Sequence, residues 1–208
     1  MKYIVEFFGT FFLVLTIGMT VIDPGGAGAM APLAIGLVLM VMVYAGGHIS
    51  GAHYNPAVTI SVVLRGKCAA GDAAPYIIAQ ILAAALASFA VLFLKQGETI
   101  TAMSIDPMPA LLAECLFTLA LAYVVLNVAT AKANANNSFY GLAIGFTVLA
   151  GAYSVGSISG GAFNPAVAVG LGIMGLVKWA DLWVHLVGNI AGAVAAAIAF
   201  RAITGEKN

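Results

Sequence analysis

The stretch GGHISGAHYNPAVTI at residues 46–60 has a second version, VGSISGGAFNPAVAV, at residues 155–169. Each contains an Asn-Pro-Ala triplet, led by Asn55 or Asn164, that opens a short apolar run. Asparagine is a favoured N-cap and proline is tolerated at the first helical position, so each triplet predicts a helix start. The run behind it, about ten residues or ~15 Å of helix, reaches only half of a membrane. Pro56 and Ala57 complete the first triplet, and Pro165 and Ala166 complete the second.

The chain around these triplets is too apolar for a water-soluble protein. Of its 208 residues, 62% are hydrophobic and 8% are charged, whereas soluble domains carry about 25% charged residues. This composition predicts an integral membrane protein whose main partner is the lipid bilayer. The formal net charge is zero, so nothing suggests a nucleic-acid partner.

Six stretches are long enough to cross a bilayer, which takes about 20 residues each. They are residues 4–22, 32–50, 75–94, 109–128, 139–156 and 180–203. The first stretch has no small-residue cleavage site and is expected to remain as a helix. The breaks, which are rich in glycine, proline and polar residues, fall at 23–28, 65–72, 95–109 and 131–138. The sequence therefore predicts an all-α membrane protein with six transmembrane helices and two re-entrant half-helices.

The chain also repeats itself outside the triplets. The segment VEFFGTFFLVL, which contains Glu6, is echoed by AECLFTLALAY, which contains Glu114. Each half holds three spans, an odd number, so the two halves must enter the membrane from opposite sides. We expect a single domain over residues 1–208, with one repeat at about 1–97 and an inverted one at about 107–205.

The basic residues predict an orientation. If the N-terminus is inside, six of them fall on the inner side and two on the outer side, which favours cytoplasmic termini. The inner residues are Lys2, Arg65, Lys67, Lys132, Arg201 and Lys207, and the outer ones are Lys95 and Lys178. We expect an integral protein of the cell (inner) membrane.

The two helix starts are expected to meet inside the membrane. Non-helical backbone at that depth is tolerated only where it is buried in protein or lines a water-filled cavity. Two starts that enter from opposite faces meet near the midplane. Each brings the positive end of a helix dipole and one asparagine amide donor to the same place.

These features resemble the aquaporin and glycerol-facilitator family of major intrinsic proteins. The resemblance lies in the paired boxes SGAHYNPAVT and SGGAFNPAV and in one glutamate per half, and it extends from Glu6 to Arg201. It implies an aquaporin-like inverted-repeat fold and a homotetramer with a pore in each subunit. It also implies passive passage of water and of small uncharged solutes such as glycerol, urea or ammonia. We expect no catalysed reaction and no cofactor, with Asn55 and Asn164 orienting the molecules that pass.

The sequence departs from the family at the outer constriction. Water-selective relatives have an arginine directly after the second triplet, and here that residue is Val167. Counting from the asparagines places Ile35, Ala152 and Gly161 at the other three filter positions. The resemblance therefore implies a filter that is wider and less polar than usual. The alternative is that neighbouring side chains or a folded-in outer loop refill the space and leave a narrow, hydrophobic mouth of low conductance.

Polar residues within the spans have two readings. Glu6 and Glu114 could form a proton relay or a cation site, as in a secondary transporter with broken helices. The favoured reading is that each carboxylate accepts hydrogen bonds from the non-helical backbone before a half-helix. Gln80 resembles a family position that braces the second loop.

The histidines and cysteines suggest neither a metal centre nor an enzyme. His53 is expected to line the inner half of the pore, and His48 either lines it or hydrogen-bonds its own loop. A third metal ligand is lacking, since His185 belongs to the other half. His185 and Asn189 are expected to be packing or interface residues. Cys68 and Cys115 have no paired spacing and are expected in the apolar core.

Overall fold

The structure is a computed structural model that describes residues 1–23 and 25–206. Its long elements are all helices. They are α1 Lys2–Val21, α2 Ala31–Ser50, α3 Pro56–Leu64, α4 Ala70–Leu94, α5 Pro107–Thr130, α6 Tyr140–Ser159, α7 Pro165–Ile173 and α8 Leu182–Thr204. Lys207, assigned above to the inner side, lies outside the described residues.

Six of these helices are long and apolar enough to span a membrane, as the sequence predicts. The two nine-residue helices, α3 and α7, correspond to the predicted half-helices. One boundary is wrong: α4 begins at Ala70, so Pro75 lies inside the helix and not at its start. Proline at this point removes a single intrahelical bond, to the carbonyl group of Gly71, and the helix accommodates that loss near its N-terminal end.

The helix contacts follow the inverted repeat. Within the first half α1 packs on α4, and within the second half α5 packs on α8. The half-helices cross over, because α3 contacts α8 and α7 contacts α4. Each half-helix is therefore held by the last long helix of the other half, which ties the two repeats into one body.

Small residues allow the close approach of the helices. A Cβ atom added to Gly192 of α8 would lie 2.4 Å from the carbonyl oxygen of Cys115 on α5. One added to Gly145 of α6 would lie 2.4 Å from the carbonyl oxygen of Gly36 on α2. Glycine is thus required at both crossings, as is common where helices pack in membranes.

Both chain ends lie on one side of the molecule. Lys2 forms an ion pair with Asp72, and Arg65 forms one with Glu206, each at 2.6 Å. We call this the terminus side, and we call the side that carries Lys95 the opposite side.

Candidate functional site

The two half-helices begin back to back, and each asparagine caps its own helix. Oδ1 of Asn55 accepts from the backbone N–H of Ala57 at 2.8 Å. Oδ1 of Asn164 accepts from the N–H of Ala166 at 2.9 Å. The prediction that asparagine caps both short helices is confirmed.

The asparagines also link the two loops to each other. Nδ2 of Asn55 donates to the carbonyl oxygen of Phe163, and Nδ2 of Asn164 donates to that of Tyr54, both at 2.9 Å. The sequence predicts that both amide groups are free to donate, but in the structure one hydrogen of each amide is already engaged. The second hydrogen of each makes no hydrogen bond to the described residues, so it can serve a passing molecule.

Glu6 collects the donors of the first loop. Its Oε1 accepts from the Ser50 hydroxyl at 2.7 Å and from the N–H of His53 at 2.9 Å. Its Oε2 accepts from the N–H of Tyr54 at 2.6 Å and from Nε2 of Gln80 at 2.8 Å. The carboxylate is fully buried. Four donors satisfy its four lone-pair sites, so no acceptor remains for a cation.

Glu114 does the same for the second loop with one donor fewer. It accepts from the Ser159 hydroxyl at 2.7 Å, from the N–H of Ala162 at 3.0 Å and from the N–H of Phe163 at 2.7 Å. The shorter Asn189 replaces glutamine on this side, and its Oδ1 accepts instead from the Thr118 hydroxyl at 2.8 Å.

These contacts hold backbone that is unfavourable by itself. Tyr54 and Phe163 have positive φ angles of 50° and 49°. Such left-handed conformations cost about 1–3 kcal/mol for residues other than glycine and persist only where the surroundings impose them. The N–H groups of Tyr54 and Phe163 donate to Glu6 and Glu114, and these hydrogen bonds hold the two residues in the left-handed conformation.

The placement of Gln80 corrects one expectation. Its amide contacts Glu6 and, at 3.1 Å, the hydroxyl of Thr59, both in the first half. The prediction that Gln80 braces the second loop is therefore wrong. The physical reason is that α4 packs on α1 and presents this side chain to the first loop.

Sequence reasoning missed a second pair of contacts to the loops. The hydroxyl of Tyr76 donates to the carbonyl oxygen of Ser50 at 2.7 Å. Nε2 of His185 lies 2.9 Å from the carbonyl oxygen of Ser159. Tyr76 and His185 follow their asparagines at the same distance along the chain, so the repeat itself was the signal. His185 and Asn189, expected as packing or interface residues, are fully buried.

A cavity of about 470 Å³ runs from the opposite side past the asparagines, and we call it the main cavity. Its walls contain both asparagines, His53 and all four residues expected at the filter. These four expected residues are Ile35, Ala152, Gly161 and Val167. No charged side chain is found among its lining in the described part of the chain.

Part of the loop between α4 and α5 folds over the opposite-side mouth. The N–H of Met103 donates to the carbonyl oxygen of Leu176 at 2.9 Å, and Thr101 and Met103 line the main cavity. A Cβ atom built at Gly160 would lie 4.0 Å from the sulfur of Met103. The folded-in loop that was the alternative expectation therefore exists, yet it leaves the main cavity in place.

A second cavity, of about 310 Å³, opens on the terminus side. His53 lines this cavity as well as the main one, together with Lys67, Cys68 and Tyr76. We call it the terminus-side cavity.

Cys68 is only half-buried, as is Cys115, so the expectation that both lie in the core is wrong.

His48 does not line either cavity, and the expectation that it lines the pore is wrong. Its side chain is exposed on the outward face of α2 that also exposes Val41 and Tyr44. Helical periodicity explains the placement, because positions three to four residues apart share a face while Gly46 and Ser50 point inward. The side chain makes no hydrogen bond within the described residues.

The sequence of this chain is similar to those of known membrane channel proteins over nearly its whole length. A profile described as "Major intrinsic protein" matches residues 1–200. "Glycerol uptake facilitator protein-like 6" of Lactiplantibacillus plantarum is 37% identical over 99% of this chain and 99% of its own length. "Aquaporin AqpM" of Methanothermobacter thermautotrophicus is 35% identical over 99% and 98% of the two chains. "Aquaporin NIP1-1" of Zea mays is 36% identical over 97% of this chain and 74% of its own length.

The fold is also that of a solved structure, the aquaglyceroporin from Plasmodium falciparum, with a TM-score of 0.79. That likeness covers 98% of this chain and 96% of the other at 23% sequence identity. Two capped half-helices, an inverted repeat and a full-length family match agree with one another. The chain therefore belongs to the major intrinsic protein family and is a passive membrane channel for water and small solutes, not an enzyme.

Proposed function

We propose that this channel admits other small uncharged solutes besides water, such as glycerol, urea or ammonia, because its opposite-side filter lacks a charged and bulky residue. The observation that carries the proposal is the wall of the main cavity, where Ala152, Gly161 and Val167 stand together. Valine offers neither the positive charge nor the five N–H donors of an arginine. Ala152 leaves room where the resemblance allows a histidine, and Ile35 replaces the usual aromatic ring.

Asn55 and Asn164 orient the molecules that pass. Each keeps one amide hydrogen directed away from its loop bonds, and each stands at the positive end of a half-helix. Two helix ends, each worth about half an elementary charge, disfavour cations at this point. Their effect matters more in this chain than in one with a charged filter, because the filter contributes no charge of its own.

Glu6 and Glu114 act as braces of the loops and take no part in ion transport. Neither lines the main cavity, and their oxygens are engaged by three or four donors each. A proton relay or a coupling-ion site would need an accessible carboxylate. This arrangement supports a channel over a secondary transporter.

A channel of low conductance is the second candidate, and the folded loop favours it. Thr101 and Met103 narrow the mouth from one side, and the main cavity is lined chiefly by apolar side chains. Hydrophobic constrictions can close a pore by excluding water. The measured water permeability separates the two candidates.

The protein lies in the cell (inner) membrane with its terminus side toward the cytoplasm. It assembles as a homotetramer. Lys2, Arg65, Lys67 and Arg201 belong to this side, and an excess of basic residues marks the cytoplasmic face. The outward faces expose large apolar side chains such as Phe8 and Phe89, which suit lipid or a neighbouring subunit. Native mass spectrometry of the detergent-solubilised protein tests the assembly.

Stopped-flow light scattering on proteoliposomes tests the permeation. Water, glycerol, urea and ammonia should each pass faster than through empty liposomes, with a low activation energy for water. Water permeability equal to that of empty liposomes, from protein shown to be folded, would reject the conducting channel. Water flux without glycerol or urea flux would reject the passage of these larger solutes but not the water channel.

A further inference from the structure

The main cavity and the terminus-side cavity meet at two residues. Their linings share His53 and Val125 and no other described residue. Both side chains are buried, with 7% and 5% of their surface exposed. A molecule that crosses from one cavity to the other must therefore pass between the imidazole ring on the first loop and the valine on α5. We call this passage the neck.

His53 cannot swing aside to open the neck. Its backbone N–H donates to Glu6, and its Nδ1 lies 3.1 Å from the hydroxyl oxygen of Thr59. Its ring packs against Tyr76 with ring centroids 5.0 Å apart. Val125 is equally fixed, because a β-branched side chain in a helix has essentially one rotamer.

The contacts of Thr59 also define which ring nitrogen of His53 carries the hydrogen. Its hydroxyl donates to the carbonyl oxygen of Asn55 at 3.0 Å and accepts from Gln80 at 3.1 Å. The oxygen then has one lone pair left, so Nδ1 of His53 must carry the hydrogen and donate to it. Nε2 is left as an acceptor. It lies beside Gly51, where an added Cβ atom would be 3.3 Å away.

We propose that the neck between His53 and Val125, and not the opposite-side mouth, sets the largest solute that this channel passes. This inference rests on the proposed function and names the step that limits it. With small residues at the filter, the mouth no longer provides the tightest fit, so discrimination by size passes to the next fixed constriction. The neck offers one acceptor and one apolar wall, directly after the amide donors of the two asparagines. This order of donors and acceptor along the pore suits small molecules that both accept and donate hydrogen bonds.

Substitution of Val125 tests the neck. Val125→Ala should raise the ratio of glycerol to water permeability at least about tenfold, because even one methylene of fit changes discrimination by about that factor. Val125→Leu should lower glycerol flux by a similar factor. Val124 supplies the matched controls Val124→Ala and Val124→Leu, since it is the same residue type on the same helix but lines neither cavity. An unchanged ratio in Val125→Ala, from folded protein, overturns the proposal.

A labelling experiment covers the case in which Val125→Leu does not fold. In a Cys68→Ser, Cys115→Ser background, Val125→Cys should react with a small methanethiosulfonate reagent, and both water and glycerol flux should then be lost. Val124→Cys should keep its flux under the same treatment. Persistent flux through labelled Val125→Cys overturns the proposal.

The two proposals fail in distinguishable ways. If the parent protein passes water but no glycerol, the wide-solute function is rejected. The neck is then supported if Val125→Ala gains glycerol flux, and it is overturned if that variant gains none.

Discussion

Arg65, at the end of α3, is completely buried, and its Nη2 lies 2.6 Å from Oε2 of Glu206 near the chain terminus. The guanidinium group also packs on the ring of Phe200 at 4.8 Å. Its Nε and Nη1 atoms have no hydrogen-bond partner among the described residues. Glu206 is therefore the single counter-charge that the described chain provides for a buried cation.

Removal of that counter-charge should destabilise the protein. Breaking a buried ion pair from one side costs about 3–5 kcal/mol, and we expect about 2 kcal/mol here because the Glu206 side chain is 19% exposed. Glu206→Ala should thus lower the melting temperature in detergent, and Glu206→Gln should lower it less. Asp72→Asn is the control, because the pair that Asp72 forms with Lys2 is more exposed and contributes little to stability. Equal effects of Glu206→Ala and Asp72→Asn would contradict the prediction.

The braces differ in a way that stability measurements can detect. Glu6 accepts four hydrogen bonds and Glu114 accepts three. Leaving a buried donor unpaired costs about 1–3 kcal/mol. Glu6→Ala should therefore be more harmful than Glu114→Ala, and each glutamine variant should be milder than its alanine counterpart.

Thermal unfolding in detergent, followed by tryptophan fluorescence, provides the measurement for these four variants. The bracing role would be lost if the alanine and glutamine variants were equally harmless. A proton-relay role would show itself differently, as flux that depends on a proton gradient and disappears in the glutamine variants.

The features that follow from local rules were predictable from the sequence. Span length and Asn-Pro capping depend on neighbouring residues, and the repeat can be read by comparing the two halves of the sequence. Together these features predicted the six spans and both half-helices. The filter positions Ile35 and Ala152 were assigned from the family resemblance by counting back from the asparagines, and both residues line the main cavity. Those inferences needed no knowledge of how the helices rotate.

The errors concern features that depend on rotation and packing. The face on which His48 lies and the loop that Gln80 reaches are decided by how α2 and α4 turn against their neighbours. Val125 was missed because a valine in an apolar span carries no signal until a cavity passes beside it. Tyr76 could have been found, because it holds the position in its repeat that His185 holds in the other.

Met103 should influence the width of the opposite-side mouth. Its backbone is fixed by the hydrogen bond to Leu176, and its side chain lines the main cavity next to Gly160. If the folded loop limits conductance, Met103→Ala should raise water permeability, because the loop stays in place while the thioether is removed. Met108→Ala is the matched control, since Met108 is 67% exposed and lines neither cavity. Unchanged permeability in Met103→Ala would show that the loop does not restrict the mouth.

Val167 carries the last prediction, which concerns the filter itself. Its side chain lies in the first turn of α7 and lines the main cavity with Ala152 and Gly161. Val167→Arg would add a fixed positive charge and five N–H donors at this point, where the helix dipole already disfavours cations. Bulk and charge should both act against larger solutes, whereas water can still pass and hydrogen-bond to the guanidinium group. Glycerol permeability should therefore fall more than water permeability, by about tenfold or more in their ratio, which corresponds to ~1.4 kcal/mol. Val167→Met serves to separate bulk from charge, because methionine adds length at this position without a charge. If the ratio of glycerol to water permeability stays the same in Val167→Arg, position 167 does not determine selectivity in this channel.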